Sequence, residues 1–467
     1  MKSLSLALPL PVARLRALAA IAALTLASGL AAALYLPASM AGVVALLVFC
    51  ISMWATALVP EYWPALAFFL VAMLCNMAPA QTVFSGLQST TFWLLFSGAV
   101  MGAAIGHTGL GKRAAAILSR MLGRRYAGVI AGIVLFSVAL AFVMPSGMGR
   151  VVLLIPITMA VAEHIGYGAG HNGRTGMLMA ASFSSFLPTF AILPSNAPNM
   201  ILSGMADNLY GVQIAYVDYL LLHFPVLGIL KSVLLVLLIL WMFPAADPVH
   251  AAAPAQRQGP MSAQETGLTV VLGGCLALWM TDGLHHVSPA WVGLAAALVC
   301  LWPAADLTSK KCLNQEINYG SLLFVAGVMG LGAVISESGL GEAVVHGLSR
   351  HARFATDTPL WNAAVLTVIS TVVSLVTNLA GVPATMTPLA QDLAAVTGLP
   401  LMTVLMTQVL AFSNVCLPYQ APPLIFAMQA ASLPVAAVTR LCLSLFILSL
   451  LILTPLDFVW WHVVGLL

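Results

Sequence analysis

Four otherwise apolar stretches of this chain are interrupted by Pro, Gly and small polar residues. Those interruptions hold the side chains that could do chemistry. They read MPSGMGRVVLLIPI (144–157), LPSNAPN (193–199), VTNLAGVPATMTPL (376–389) and LPYQAPP (417–423). Their polar members Ser146, Ser195, Asn196, Asn199, Thr377, Asn378, Thr385 and Gln420 are uncharged. A helix restarting after such a break presents backbone N–H donors and the positive end of its dipole, which suits an anion. Freed carbonyls with Ser, Thr and Asn oxygens suit a small hard cation such as Na⁺. Donor and acceptor surfaces side by side point to coupled transport of a small anion. Arg150 is the one charge in the four stretches, about 6 Å beyond Ser146 along a helical arm. An unpaired charge at that depth costs at least ~2.5–3.5 kcal/mol. Arg150 therefore either snorkels or pairs with Glu163 at the hairpin base, or it faces a substrate carboxylate directly.

The elements that position these breaks must lie in a membrane. Of 467 residues, 61% are hydrophobic and only 7% are Asp, Glu, Lys or Arg, against roughly 25% charged in a soluble domain. The mean hydropathy is +1.03. A net charge of +3 with scattered Lys and Arg argues against nucleic-acid binding. The seven cysteines show no CxxC spacing, so neither a zinc site nor a disulfide framework is expected. No HExxH motif is present and the histidines fall at tract ends or in loops, so the chain does not read as an intramembrane enzyme. Lys231 beside Ser232 mimics a dyad, but it sits mid-helix and reads as a snorkelling or partner-facing lysine. An antiporter exchanging protons would need an intramembrane carboxylate. Glu61, Glu163 and Glu337 fall at tract ends, and no Asp is expected deep in a tract. A passive channel could use the same breaks and is separated from a carrier by substrate counterflow.

Apolar tracts alternate with polar breaks from residue 17 to residue 456. Lys2, Arg14 and Arg16 precede a tract near 20 residues, read as a retained spanning helix rather than a signal core. The expected organisation is an N-terminal spanning helix (1–36), a first repeat (37–243), a cytoplasmic linker (244–265), a second repeat (266–456) and a tail (457–467). The basic residues set the orientation: the N-terminus, 112–125, Arg174, Arg257, Lys310 and Lys311 fall inside. The count works if 126–162 and 360–397 are each hairpins that enter and leave on one face.

The chain also repeats itself. Residues 92–111 (FWLLFSGAVMGAAIGHTGLG) match 319–341 (YGSLLFVAGVMGLGAVISESGLG), and each copy ends in Gly-Leu-Gly. A Pro/Gly-broken stretch follows in both, and aligning Pro156 with Pro388 sets Ser146 opposite Asn378 and Arg150 opposite Val382. LPSNAPN and LPYQAPP then share Leu-Pro-x-x-Ala-Pro. By the charge count the copies start on opposite faces. An inverted repeat with broken helices meeting at the midplane is the layout of secondary transporters. The fold class read from this is an all-α polytopic membrane protein with two re-entrant hairpins, two broken helices and about eleven spanning helices.

This layout resembles the divalent anion:sodium symporters, which carry dicarboxylates, citrate or sulfate. In that family each half holds a hairpin tipped by Ser-Asn-Thr and a broken helix with a proline-rich turn. The tips here are Pro145-Ser146-Gly147 and Thr377-Asn378-Leu379, both degenerate. The turns are 195–199 (Ser-Asn-Ala-Pro-Asn) and 419–423 (Tyr-Gln-Ala-Pro-Pro). The expected substrate contacts are the break residues Ser146, Ser195, Asn196, Asn199, Asn378, Gln420 and Pro422, together with Arg150, a charge that the repeat itself does not require. The resemblance adds the cation sites. It implies a coupling Na⁺ at Thr377, Asn378 and Ala421, with a weaker candidate at Ser146 and Gly147, and no resident cofactor. It also implies a homodimer in the inner membrane with its N-terminus cytoplasmic. The alternative is a sodium-independent exchanger in which Arg150 replaces the bound cation.

Overall fold

The computed structural model describes residues 12–56, 58–111, 113, 125–144, 146–248, 259–285, 287–340, 343–344, 354, 356–376 and 379–467. Thr377 and Asn378, expected at the second hairpin tip, lie outside the described residues. Among the described residues every regular element is helical. The helices that matter below are α1 (Val12–Tyr35), α2 (Ala38–Thr56), α3 (Tyr62–Leu74), α4 (Thr90–Thr108), α5 (Tyr126–Ala141), α6 (Gly147–His164), α7 (Asn172–Ser184) and α8 (Ala197–Tyr210). The long α9 (Tyr216–Met242) follows, then α10 (Ala263–Met280), α11 (Pro289–Leu301) and α12 (Tyr319–Glu337). The chain closes with α13 (Pro359–Val376), α14 (Gly381–Met386), α15 (Ala390–Thr397), α16 (Leu401–Phe412), α17 (Pro422–Ala430) and α18 (Val435–Val463).

Among the described residues six helices are long and apolar enough to cross a membrane, and six more apolar helices have 10–17 residues. Three of the short ones, α5, α13 and α16, run into a hairpin tip or a break, and their length has a physical reason. An arm ending at a break near the midplane needs only about 10 residues to cover half of a ~30 Å hydrocarbon layer. α16, on 12 residues, is such an arm.

Local sequence sets the helix ends. The Ser89 side chain caps α4 by accepting from Phe92 N, and Asn318 caps α12 by accepting from Ser321 N. Gly109 follows α4 and Gly339 follows α12, both left-handed at φ 82° and 74°. The two similar segments thus share a local conformation as well as a sequence. The same holds for the proline-rich turns: residues Leu193–Ser195 and Pro418–Gln420 each form a single 3-10 turn before an α-helix restarts. α12 is largely enclosed, packing on α3 and α8. A Cβ at Gly86 would lie 2.1 Å from Ala326 O, so glycine permits the turn before α4 to sit on α12.

Polar contacts gather at one end of the bundle. Arg113 pairs with Glu265 at 2.8 Å, Arg174 pairs with Glu163 at 2.8 Å, and His107 lies 3.9 Å from Asp306. Tyr126 N donates to Asp247 Oδ1, while the Tyr126 and Tyr167 hydroxyls donate to Phe243 O and Ala246 O. The two outer ends of the α5–α6 hairpin are thereby fastened to the segment after α9. At the opposite end Thr90 donates to Asp207.

Two expectations need correction. Residues 457–467 do not form a tail: α18 continues through a π-helical stretch (Ser449–Leu453) and carries Asp457 and Trp461 into the core, both fully buried. Asp457 looked like the end of an apolar tract because an acid ordinarily marks the water boundary, and here it does not. Consequently an Asp does lie deep in a spanning segment. In addition α10 starts at Ala263, inside the stretch expected as linker, because Ser262 and Glu265 form a capping box.

The hairpin geometry can be checked in cells. In a cysteine-free background, Gly168→Cys and Pro248→Cys should react identically with a membrane-impermeant maleimide. Opposite reactivity would show that α5 and α6 do not return to the same face.

Candidate functional site

The first break runs from Ser185 to Asn196 between α7 and α8. Unwinding strips its carbonyls of helical partners, and side chains replace them. Arg150, fully buried on the first turn of α6, donates Nε to Ser185 O at 2.9 Å and Nη1 to Met144 O. Its Nη2 reaches Thr189 Oγ1 at 2.9 Å and Ser195 O at 3.2 Å. Ser195 Oγ donates to Thr189 O at 2.6 Å, and Asn196 Nδ2 donates to Phe186 O at 3.3 Å. Asn199 Nδ2 bridges Phe190 O and Ile192 O, both at 2.9 Å, and the Tyr219 hydroxyl also donates to Phe190 O. Six carbonyls of the break thus accept from five side chains, and two of them, Thr189 O and Ile192 O, accept in addition from the backbone N–H of Ile192 and Ser195. A guanidinium with several donors in a rigid fork suits this work better than an ammonium.

The second break, between α16 and α17, is held differently. Gln420 Oε1 accepts from Cys416 N and Leu417 N at 2.9 and 2.8 Å, while its Nε2 donates to Ser374 O and Oγ at 2.9 Å. Gln420 thereby ties the break to the end of α13, next to the second hairpin tip. Lys231 of α9 donates to Ser413 O and Asn414 Oδ1.

Between the breaks lies a cavity of about 480 Å³. Ser146, Gly147 and Met148 enter it from the first hairpin tip, and Asn196, Ala197 and Pro198 from the first break. Leu379 and Ala380 come from the second tip, and Gln420, Ala421, Pro422 and Pro423 from the second break. The starts of α6, α8, α14 and α17 therefore meet at one space, and their dipole ends bias it towards an anion. α4 contributes Leu95, Gly98 and Ala99. Glu61 precedes α3 and Asn318 precedes α12, so the cavity reaches the bundle end where those helices start. That is the end bearing Asp306 and His107. Glu61 is the one titratable side chain among the described lining residues, and burial pushes its carboxyl above the usual range. A Cβ at Gly147 would stand 2.9 Å from Asn196 Oδ1, so glycine lets the hairpin tip close on the break.

Of the residues expected at a substrate or cation site, the structure gathers Ser146, Gly147, Asn196, Gln420, Ala421 and Pro422 on this cavity. It does not bring Arg150, Ser195 or Asn199 to it. These three are fully buried behind the wall, occupied with the carbonyls they satisfy. Nor does Arg150 pair with Glu163, which binds Arg174 instead. The guanidinium neither snorkels nor finds a carboxylate, because the break offers acceptors nearer to hand. Sequence reasoning missed Glu61, Asn318 and the α4 face. Only the small residues of GAVMGAAIG hinted at that close approach.

Replacing Arg150 should therefore act on the fold of the break. Arg150→Met should lower stability by about 3 kcal/mol, since buried carbonyls left bare cost ~1–3 kcal/mol each. Arg150→Lys should recover part of that loss. Thermal unfolding in detergent checks both, and unchanged stability of Arg150→Met would remove the guanidinium from its structural role.

Comparison with known proteins fits this arrangement. A membrane protein of Cupriavidus necator is 26% identical over 335 residues, 66% of this chain and 65% of its own length. The chain thus spans slightly under two thirds of that relative. An uncharacterized transporter of Haemophilus influenzae is 23% identical over 342 residues, 70% of each chain. The L-tartrate/succinate antiporter of Escherichia coli K12 is 26% identical over 232 residues, 46% of each. The solved YdaH transporter of Alcanivorax borkumensis shares the fold, with a TM-score of 0.55 at 16% identity, covering 86% of this chain and 89% of that one. The sequence of the present chain matches the family model described as the sodium:sulfate symporter transmembrane region over residues 12–467, and the chain therefore belongs to that family of membrane transporters, which is not a class of enzymes.

Proposed function

We propose that this protein is a secondary carrier of small divalent anions, dicarboxylates foremost, working by alternating access between inverted halves. The observation that carries this reading is the meeting of four helix starts, from both hairpins and both breaks, at one cavity. Ser146 and Asn196 are its polar contacts for the anion, with Gln420 and Pro422 shaping the floor. The basic end of the bundle is cytoplasmic on the positive-inside rule, so the protein sits in the inner membrane with its N-terminus inside. A homodimer is the expected assembly.

For coupling we favour anion exchange without sodium. Arg150 already fills the carbonyl cluster of the first break with a fixed positive charge, where a bound cation would otherwise supply it. The antiporter among the relatives is consistent with this. Sodium-coupled symport, with Na⁺ held by Thr377, Asn378 and Ala421 and a weaker site at Ser146 and Gly147, is the second reading. The family's own description as a sodium:sulfate symporter favours it.

Purified protein in liposomes decides between them. Internal succinate should accelerate uptake of labelled succinate several-fold, and an inward sodium gradient should leave that rate unchanged. Uptake that requires sodium and ignores internal succinate would overturn exchange in favour of symport. Citrate and sulfate, run in parallel, define the substrate class.

Glu61 gives a pH prediction. Its carboxyl titrates above the usual carboxylate range, so it is ionised and repels an anion at high pH and becomes neutral as pH falls through its raised value. Apparent affinity for sulfate, whose charge is constant near neutrality, should rise on acidification. Glu61→Gln should bind sulfate about fivefold tighter in alkaline medium, a like-charge repulsion of roughly 1 kcal/mol removed, and should lose the pH trend. An unchanged trend would take Glu61 out of the anion's path.

A further inference from the structure

Outside the cavity, α9 and α18 enclose a second set of ionisable groups. Both helices bend through π-helical stretches, Phe224–Leu230 and Ser449–Leu453. The ring of His223 lies 6.0 Å from that of Trp461, and Trp460 donates to Leu221 O, so the two helices run side by side. Lys231, buried mid-way along α9, donates Nζ to Ser413 O at 2.6 Å and to Asn414 Oδ1 at 2.8 Å. Asp457 of α18 is fully buried, and neither carboxyl oxygen accepts a hydrogen bond. Lys231 is close enough to act on it electrostatically, yet no ion pair joins them. The remaining titratable groups of the neighbouring elements are Tyr216, Tyr219 and His223, buried on α9, with Cys442 buried on α18. Cys416 lies half-buried in the second break. Asp218, Arg440 and His462 are exposed, and α16 carries no titratable side chain.

We propose that Asp457 is a proton-binding site whose proton leaves when the second break moves. A buried carboxylate with no donor is costly, whereas the neutral acid is tolerated. In the present arrangement Asp457 is therefore the acid, and Lys231 carries its charge against the oxygens of Ser413 and Asn414. Those oxygens belong to the unwound stretch of the same break that lines the cavity through Gln420 and Ala421. If that stretch shifts relative to α9, the ammonium loses both acceptors. Asp457 is its available counter-charge, and only once the O–H bond has broken. The proton passes to water, the carboxylate pairs with the Lys231 ammonium, and the reverse shift takes a proton back from water. Each stroke thus exchanges one proton, and no other species is consumed. Ionisable residues within membrane spans are rare and, in pumps and transporters, mark proton relays.

This inference rests on the carrier reading, and two measurements keep their failures apart. The first is infrared difference spectroscopy on wild-type protein and Asp457→Asn, stepped from acid to alkaline medium. The protonated-carboxyl C=O absorption of the wild type should lose one component in the variant, the Glu61 component remaining in both. Identical carboxyl absorption in the two proteins overturns the proposal, whatever the protein transports. The second is succinate exchange in liposomes by the wild type and by the double variant Lys231→Met with Asp457→Asn, which leaves no unpaired charge in the cluster. The ratio of the two rates cancels the titration of succinate and should change by about tenfold between acid and alkaline medium, as one linked proton allows. A constant ratio overturns the proposal. Absence of exchange by the wild type would count against the carrier reading alone, leaving the infrared result to decide the proton site.

Discussion

A peptide carbonyl released from a helix inside a bilayer has no water to bond to, and the structure depends on how that debt is met. In the first break six carbonyls within a dozen residues accept from Arg150, Ser195, Asn196, Asn199 and Tyr219, and only Thr189 O and Ile192 O among them keep a backbone donor as well. Irregular backbone at such depth persists only where protein or a polar cavity satisfies it. The residues that look like a binding motif are therefore partly the residues that allow the motif's backbone to exist. That dual demand explains why Ser195 and Asn199 lie behind the cavity wall while their neighbour Asn196 lines it.

Positive charge is distributed by the same rule. Neither Arg150 nor Lys231 opens onto the cavity, yet each grips an unwound stretch from behind. The cavity itself presents uncharged groups and helix starts, with Glu61 the one titratable lining residue described. Charge set behind a neutral wall acts through a low-dielectric medium and attracts an anion without binding it directly.

The two breaks are held by different kinds of donor. The first is fastened largely by groups from its own half, including a guanidinium in a fixed fork. The second is reached across the molecule by Lys231, whose ammonium sits on a flexible stem and can change partners. Gln420 fastens the second break to α13, so break and hairpin tip are one unit on that side.

Much of the architecture was legible without coordinates. A 7% charge content, the two similar glycine-rich helices and the paired proline-rich turns carried the membrane, the all-helical class and the location of the breaks, because composition and periodicity express burial in lipid directly. The gathering of Ser146, Asn196 and Gln420 was also expected, since each sits where a helix must stop. What the sequence could not carry was direction. Whether Arg150 turns to the cavity or into the wall depends on where the carbonyls of Ser185 and Ser195 lie, some 35 and 45 residues along the chain. Asp457 read as the end of a tract because its neighbour Lys231 is more than two hundred residues away. Local pattern determined which residues interrupt the membrane helices, and only the packed structure decided which of them face a ligand and which face the backbone, because hydrogen-bond partners are chosen by distance in space.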